Sequence, residues 1–96
     1  MNPMKVLELF RSREVFGCGV IEIVLWRVPR PVSPSEHPYK YRLVFLVYGR
    51  RVLGYDNERG KGNHKHFHSR ESSYDFTSPA RLLADFMKDI KEYCDV

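Results

Sequence analysis

The run LGYDNERGKGNHKHFH, from Leu53 to His68, concentrates the reactive side chains of this 96-residue chain: Asp56, Asn57, three basic residues and three of the four histidines. Imidazole titrates near neutral pH, so a pair of histidines can take up and give back a proton. Lysines beside them can hold the charge of a phosphoryl group. His64, His66 and His68 recur every second residue, which on a strand places all three on one face. His64 and His66 would then stand about 6.6–7 Å apart along the chain and could flank a scissile phosphate. The chemistry suggested is cleavage of a phosphodiester, RNA above all. In that scheme His64 and His66 are acid and base, Asp56 orients an imidazole, and Lys61 and Lys65 lie on the phosphate.

Two other readings use the same residues. His64 and His66, with His68 or His37 and the Asp56 carboxylate, are types that bind zinc. His-x-His alone is a weak metal signal, and no second ligand pair at a recognisable spacing accompanies it, so neither metal nor other cofactor is expected. Alternatively the histidines are polar residues on a solvent-facing strand, and Asp56-Asn57 ends a strand by bonding its own backbone. The Gly60-Lys61-Gly62 loop lacks the spacing, the Lys-Ser/Thr pair and the following helix of a nucleotide-binding P-loop. Tyr39, Tyr41 and Tyr48 interleave with Lys40, Arg42, Arg50 and Arg51, a pattern that stacks single-stranded bases or, more commonly, divides a core face from a charged outer face.

These residues need elements to hold them. Lys5 to Arg13 fits either a short helix or a strand, and a helix is the reading taken. Val20 to Val28 is rich in β-branched and aromatic residues and reads as a buried strand. Pro29, Pro31, Pro34 and Pro38 exclude a central strand and make the next segment a wide, exposed connection. Tyr39 to Tyr48 and Arg51 to Tyr55 read as a hairpin about Gly49-Arg50, with Asp56 and Asn57 at its end. His64 to His68 is then a fourth strand, and Ser69 to Asp75 a polar passage. Thr77-Ser78-Pro79 opens a helix to Cys94, with Thr77 or Ser78 able to cap it and an apolar stripe of Leu82, Phe86 and Ile90. The expected fold is α+β, one domain over residues 1–96, with an antiparallel sheet of about four strands packed by the C-terminal helix.

The net charge of +4 favours anionic partners without choosing among them. Cys18 and Cys94 lack the spacing of a zinc or redox motif, so reduced thiols in a cytoplasmic protein are expected over one long-range disulfide. The charged start MNPMKVLELFRSREV and the lack of a long apolar run point to neither export nor a membrane span.

Gly54-Tyr55-Asp56-Asn57, then Gly60-Lys61-Gly62-Asn63-His64-Lys65-His66, then Tyr74-Asp75-Phe76-Thr77-Ser78-Pro79 running into Leu82-Leu83-Ala84-Asp85-Phe86, together resemble the TumE-type toxins of prokaryotic toxin–antitoxin pairs. The resemblance covers about the last half of the chain. It implies a small prokaryotic toxin of a type II system, neutralised by a helix-turn-helix antitoxin, and leaves the molecular target open. The motif positions it carries over are Tyr55, Asp56, Asn57, Lys61, His64 and His66, while Asn63 departs from a denser histidine pattern. With Lys65 added from the residue chemistry, Tyr55, Asn57, Lys61 and Lys65 form the expected substrate-binding group, and His64, His66 and Asp56 the catalytic one. The expected function is a toxin acting on RNA by metal-independent acid–base cleavage. The alternative is a non-catalytic module that binds nucleic acid or an acidic protein. A homodimer formed through an exposed sheet edge fits the composition as well.

Overall fold

A computed structural model describes residues 5–94. Six strands, β1 (Leu7–Phe16), β2 (Gly19–Arg27), β3 (Tyr39–Val47), β4 (Arg50–Glu58), β5 (Gly62–Phe67) and β6 (Arg70–Ser73), precede one helix, α1 (Pro79–Cys94). The strands form a single antiparallel meander in the order β1 to β6. The α+β class and the C-terminal helix are as expected, but the sheet has six strands where about four were anticipated.

Both additional strands lie where side-chain pattern is least informative. The segment read as a helix from Lys5 is β1, an edge strand paired with β2 from Phe16 opposite Gly19 to Leu7 opposite Arg27. A bulge between Glu8 and Phe10 breaks its alternation, which is why Leu7, Leu9 and Phe10 fit a helical period equally well. All but two of its ten residues are exposed, so backbone pairing rather than burial makes it a strand. The polar passage after His68 contains β6, four exposed residues with no hydrophobic signal, held to β5 through pairs such as His66 with Glu71.

Asp56 and Asn57 do not end a strand either. β4 continues through them to Glu58, and the glycine loop contracts to a tight turn of residues 59–61. Gly60 and Gly62 take φ of +88° and +77° there, a conformation that side-chain-bearing residues seldom adopt. The proline connection is docked onto this turn: the Gly60 N–H donates to the Ser33 carbonyl at 2.8 Å, and Ser35 is buried.

One face of the sheet packs on the helix. Ile21, Ile23, Leu25, Tyr41, Leu43, Phe45, Leu53 and Tyr55 bury against Leu82, Phe86 and Ile90. Ser78 caps the helix, its hydroxyl accepting from the Arg81 N–H at 3.1 Å, and Pro79 occupies the first turn, where its missing donor costs nothing. Tyr55 donates to Asp89, and Tyr74 to Asp85 at 2.6 Å, so two aromatic hydroxyls tie sheet and β6–α1 connection to the helix. Cys18 and Cys94 form a disulfide with a Cα–Cα distance of 5.5 Å, correcting the expectation of free thiols. Folding brings the helix end against the β1–β2 turn, a proximity that a separation of 76 residues conceals.

Phe86→Ala empties a fully buried ring site and is expected to cost about 3–5 kcal/mol in denaturant unfolding. Cys94→Ser, or a reductant, should lower stability by about 2–4 kcal/mol by releasing a long closed loop in the unfolded chain. Burial, assisted by Asp89 at Tyr55, by Asp85 at Tyr74 and by Tyr74 at Tyr41, raises all three phenols above their ordinary value of 10.0. A raised folded-state pKa stabilises fully below the unfolded value and is lost as pH rises. Circular dichroism should therefore show stability falling above about pH 10, and Tyr55→Phe should flatten that fall.

Candidate functional site

Side chains directly opposite in an antiparallel pair lie on the same face of the sheet. Asp56 stands opposite His64, Gly54 opposite His66, and His66 opposite Glu71. These residues therefore share the face that α1 does not cover, called here the open face. His64 Nε2 lies 2.5 Å from Asp56 Oδ1 and 3.8 Å from Glu71 Oε1, while His66 Nδ1 lies 3.8 Å from Glu71 Oε2. The two imidazole centroids are 4.9 Å apart with the rings nearly perpendicular, closer than an extended strand alone implies because the rings tilt towards each other. Lys61, at the turn, reaches Glu71 at 3.5 Å.

His64 is buried to 3% exposure, an unusual place for a polar ring on an uncovered face. Its Nδ1 faces the Gly62 carbonyl at 2.9 Å; a carbonyl only accepts, so Nδ1 carries the proton. Its Nε2 then looks at a carboxylate. The Asp56 and His64 atoms are close enough for an ion pair, yet neither is satisfied by a hydrogen bond of acceptable direction. His66 is held below its ordinary pKa by burial first and then by the Arg51 guanidinium, against the opposing pull of Asp56 and Glu71. Glu71 sits below its usual range because Lys61 and the two imidazoles outweigh the opposing effect of burial.

Gly54 shapes the floor. A side chain there would meet the Arg51 chain at 3.2 Å, so the glycine lets Arg51 fold across the sheet towards His66. Arg42, opposite Asp56 on β3, is exposed on the same face. Among the described residues, neither Arg42 nor Arg51 has a carboxylate partner within 4.0 Å. Asp56, His64 and His66 also present ligand atoms that all lie within 4.8 Å of one another, so these three residues could hold a metal ion.

The other expected site residues lie elsewhere. Tyr55, Asn57 and Lys65 alternate with the cluster and so project to the helix side. Lys65 Nζ is 3.7 Å from Asp89 and lies over the Tyr55 ring. Asn57 is fully buried; its amide oxygen accepts from the Tyr41 N–H at 3.0 Å and its nitrogen donates to the Tyr39 carbonyl at 2.7 Å. Asn63 also faces away from the histidines, accepting from the Tyr41 hydroxyl at 2.8 Å and facing His37 at 2.7 Å. His68 sits in the β5–β6 turn at φ +54° beside Tyr93, so only two of the three alternating histidines share the site. Glu71 was not singled out from sequence, and Arg42 and Arg51 were read only as part of a tyrosine-interleaved basic stretch, apart from the histidines. Glu71 lay within a passage read as loop, and only strand register reveals the arginines.

The sequence model of the family described as Toxin TumE matches residues 6–94. No curated protein and no solved structure matches the chain.

Asn57→Ala leaves the Tyr41 N–H and the Tyr39 carbonyl unpaired in the core and is expected to destabilise the fold by about 2–4 kcal/mol in urea titration. Lys65→Ala, which loses one half-exposed ion pair, should change stability by less than about 1 kcal/mol.

Proposed function

The chain belongs to the TumE toxin family, and on that premise we propose that it is the toxin of a type II toxin–antitoxin pair, acting on RNA in the cytoplasm until a helix-turn-helix antitoxin neutralises it. The observation that carries the RNA reading is the partly buried Asp56, His64 and His66 cluster on the open face, flanked by cations. Arg42 and Arg51 have no carboxylate partner among the described residues, and Lys61 borders the cluster at the turn. Such side chains hold phosphates and place a backbone over the reactive groups. Arg11 and Arg13 extend the same face along β1, although each already contacts a glutamate, Glu8 and Glu22 respectively. Among the described residues no helix is long and apolar enough to cross a membrane.

Cleavage of RNA by its own 2′-hydroxyl needs one group to take the hydroxyl proton and another to protonate the leaving oxygen. In the metal-free scheme these are His64 and His66, with Asp56 orienting His64. Geometry limits that scheme. His64 directs one nitrogen at Gly62 and the other at Asp56, so His66 is the imidazole with freedom to exchange a proton with a bound strand. In this reading Lys65 stands apart from the phosphate, its ammonium lying on the helix side beside Asp89.

The test compares host growth and total RNA on expression of the parent chain and of variants shown to be folded by circular dichroism. His66→Ala should lower RNA breakdown by about a hundredfold or more and relieve growth arrest, and Arg42→Ala should weaken it through lost phosphate contact. Lys65→Ala should remain toxic. A folded His66→Ala protein as toxic as the parent would remove the cluster from the activity. Intact RNA, bound with a steep salt dependence, would identify a non-catalytic binding module instead.

A further inference from the structure

His64 poses a charge problem that the described residues leave unsolved. With Nδ1 donating to Gly62, the Nε2 of a neutral ring offers a lone pair to Asp56 Oδ1, which is itself an acceptor. Two acceptors 2.5 Å apart repel unless a positive charge joins them. Among the described residues no Lys or Arg ion-pairs with either; Lys61 turns to Glu58 and Glu71 instead. A second proton on His64 would serve if its N–H pointed at the carboxylate, but both atoms are buried without a properly directed hydrogen bond. Leaving such atoms unsatisfied is costly, and a positive charge between them would satisfy both.

From this geometry we infer that Asp56, His64 and His66 bind a divalent first-row transition ion, with Glu71 as a fourth ligand. The donor set supports this. Two imidazole nitrogens with carboxylate oxygens suit zinc and its neighbours better than magnesium, which prefers oxygen ligands alone. A metal-bound histidine usually donates its far N–H to a carboxylate, a backbone carbonyl or water, and His64 with the Gly62 carbonyl has that arrangement. The scale is also suitable. The three ligand atoms lie within 4.8 Å of one another, and tetrahedral zinc bonds of about 2.0–2.1 Å place ligand atoms roughly 3.4 Å apart. His66 needs to draw in, and the partly buried Asp56 carboxylate needs to swing away from His64 by about an ångström. Glu71, 3.8 Å from each imidazole, borders the same space and is exposed enough to move.

Occupancy of this site stands apart from the identity of the target; only the use of the ion in catalysis rests on the RNA reading. Bound there, the ion would supply an activated water or a Lewis acid where His64 by itself cannot exchange a proton.

The experiment is equilibrium dialysis of the chelator-stripped full chain against ZnCl2, with metal analysis and thermal unfolding of the same samples. One Zn2+ per chain and a raised unfolding temperature are expected. Asp56→Asn and His66→Ala, which spare the most buried ligand, should weaken binding at least about tenfold, and His68→Ala and His37→Ala should leave it unchanged. No retained ion, or equal retention by His66→Ala and the parent, would overturn the assignment. RNA breakdown measured with and without EDTA separates the two readings. A chain that holds Zn2+ but leaves RNA intact fails only as a ribonuclease, whereas one that cleaves RNA in EDTA and retains no ion fails only as a metal protein.

Discussion

The register between β4 and β5 is the constraint on which the rest of this molecule depends. Side chains alternate along a strand, so a slip of one residue would exchange the two faces completely. In the observed register Asp56 meets His64, and Tyr55 meets Lys65. The first pair lies on the open face and the second on the helix side. The glycine turn at residues 60–62 sets the offset, and burial holds it. Tyr55 beside Phe86 and Asn57 bonded to β3 fix the face of β4, and Asn63, accepting from the Tyr41 hydroxyl, fixes that of β5.

That register also explains why polar groups are buried on an uncovered face. His64 is shielded by neighbouring strands and by Asp56, His66 and Glu71, which crowd around its ring. Desolvation of this kind strengthens every charge interaction within the cluster, and it makes the unsatisfied pair of Asp56 and His64 the least comfortable feature of the fold. A structural pair would be expected to acquire a well-directed hydrogen bond or an apolar replacement. Two facing acceptors are instead a local cost that the rest of the fold has to carry.

The remaining elements steady this arrangement from its ends. The proline connection packs on the β4–β5 turn through Ser33 and Gly60, and the capped helix presses Leu82, Phe86 and Ile90 into the opposite face. The Cys18–Cys94 link fastens the helix end to the β1–β2 turn. In a reducing compartment those thiols would separate, and the hydrophobic core would then carry the helix by itself.

Much of this was legible in the residues. The cap at Ser78, the apolar stripe of α1, the strands β2 and β3, and the grouping of Asp56 with His64 and His66 all follow from local chemistry and period. Those signals depend on neighbours in sequence, which the chain displays directly. What only tertiary structure decided concerns partners distant in sequence or invisible in side-chain pattern. β1 and β6 are strands because a neighbouring backbone pairs with them, although their own residues stay exposed. Glu71, Arg42 and Arg51 join the cluster through cross-strand register, and Tyr55, Asn57 and Lys65 leave it for the same reason. Residue types thus determined which chemistry was available, while pairing across strands determined which groups meet, because a face of a sheet is defined only once its strands are aligned.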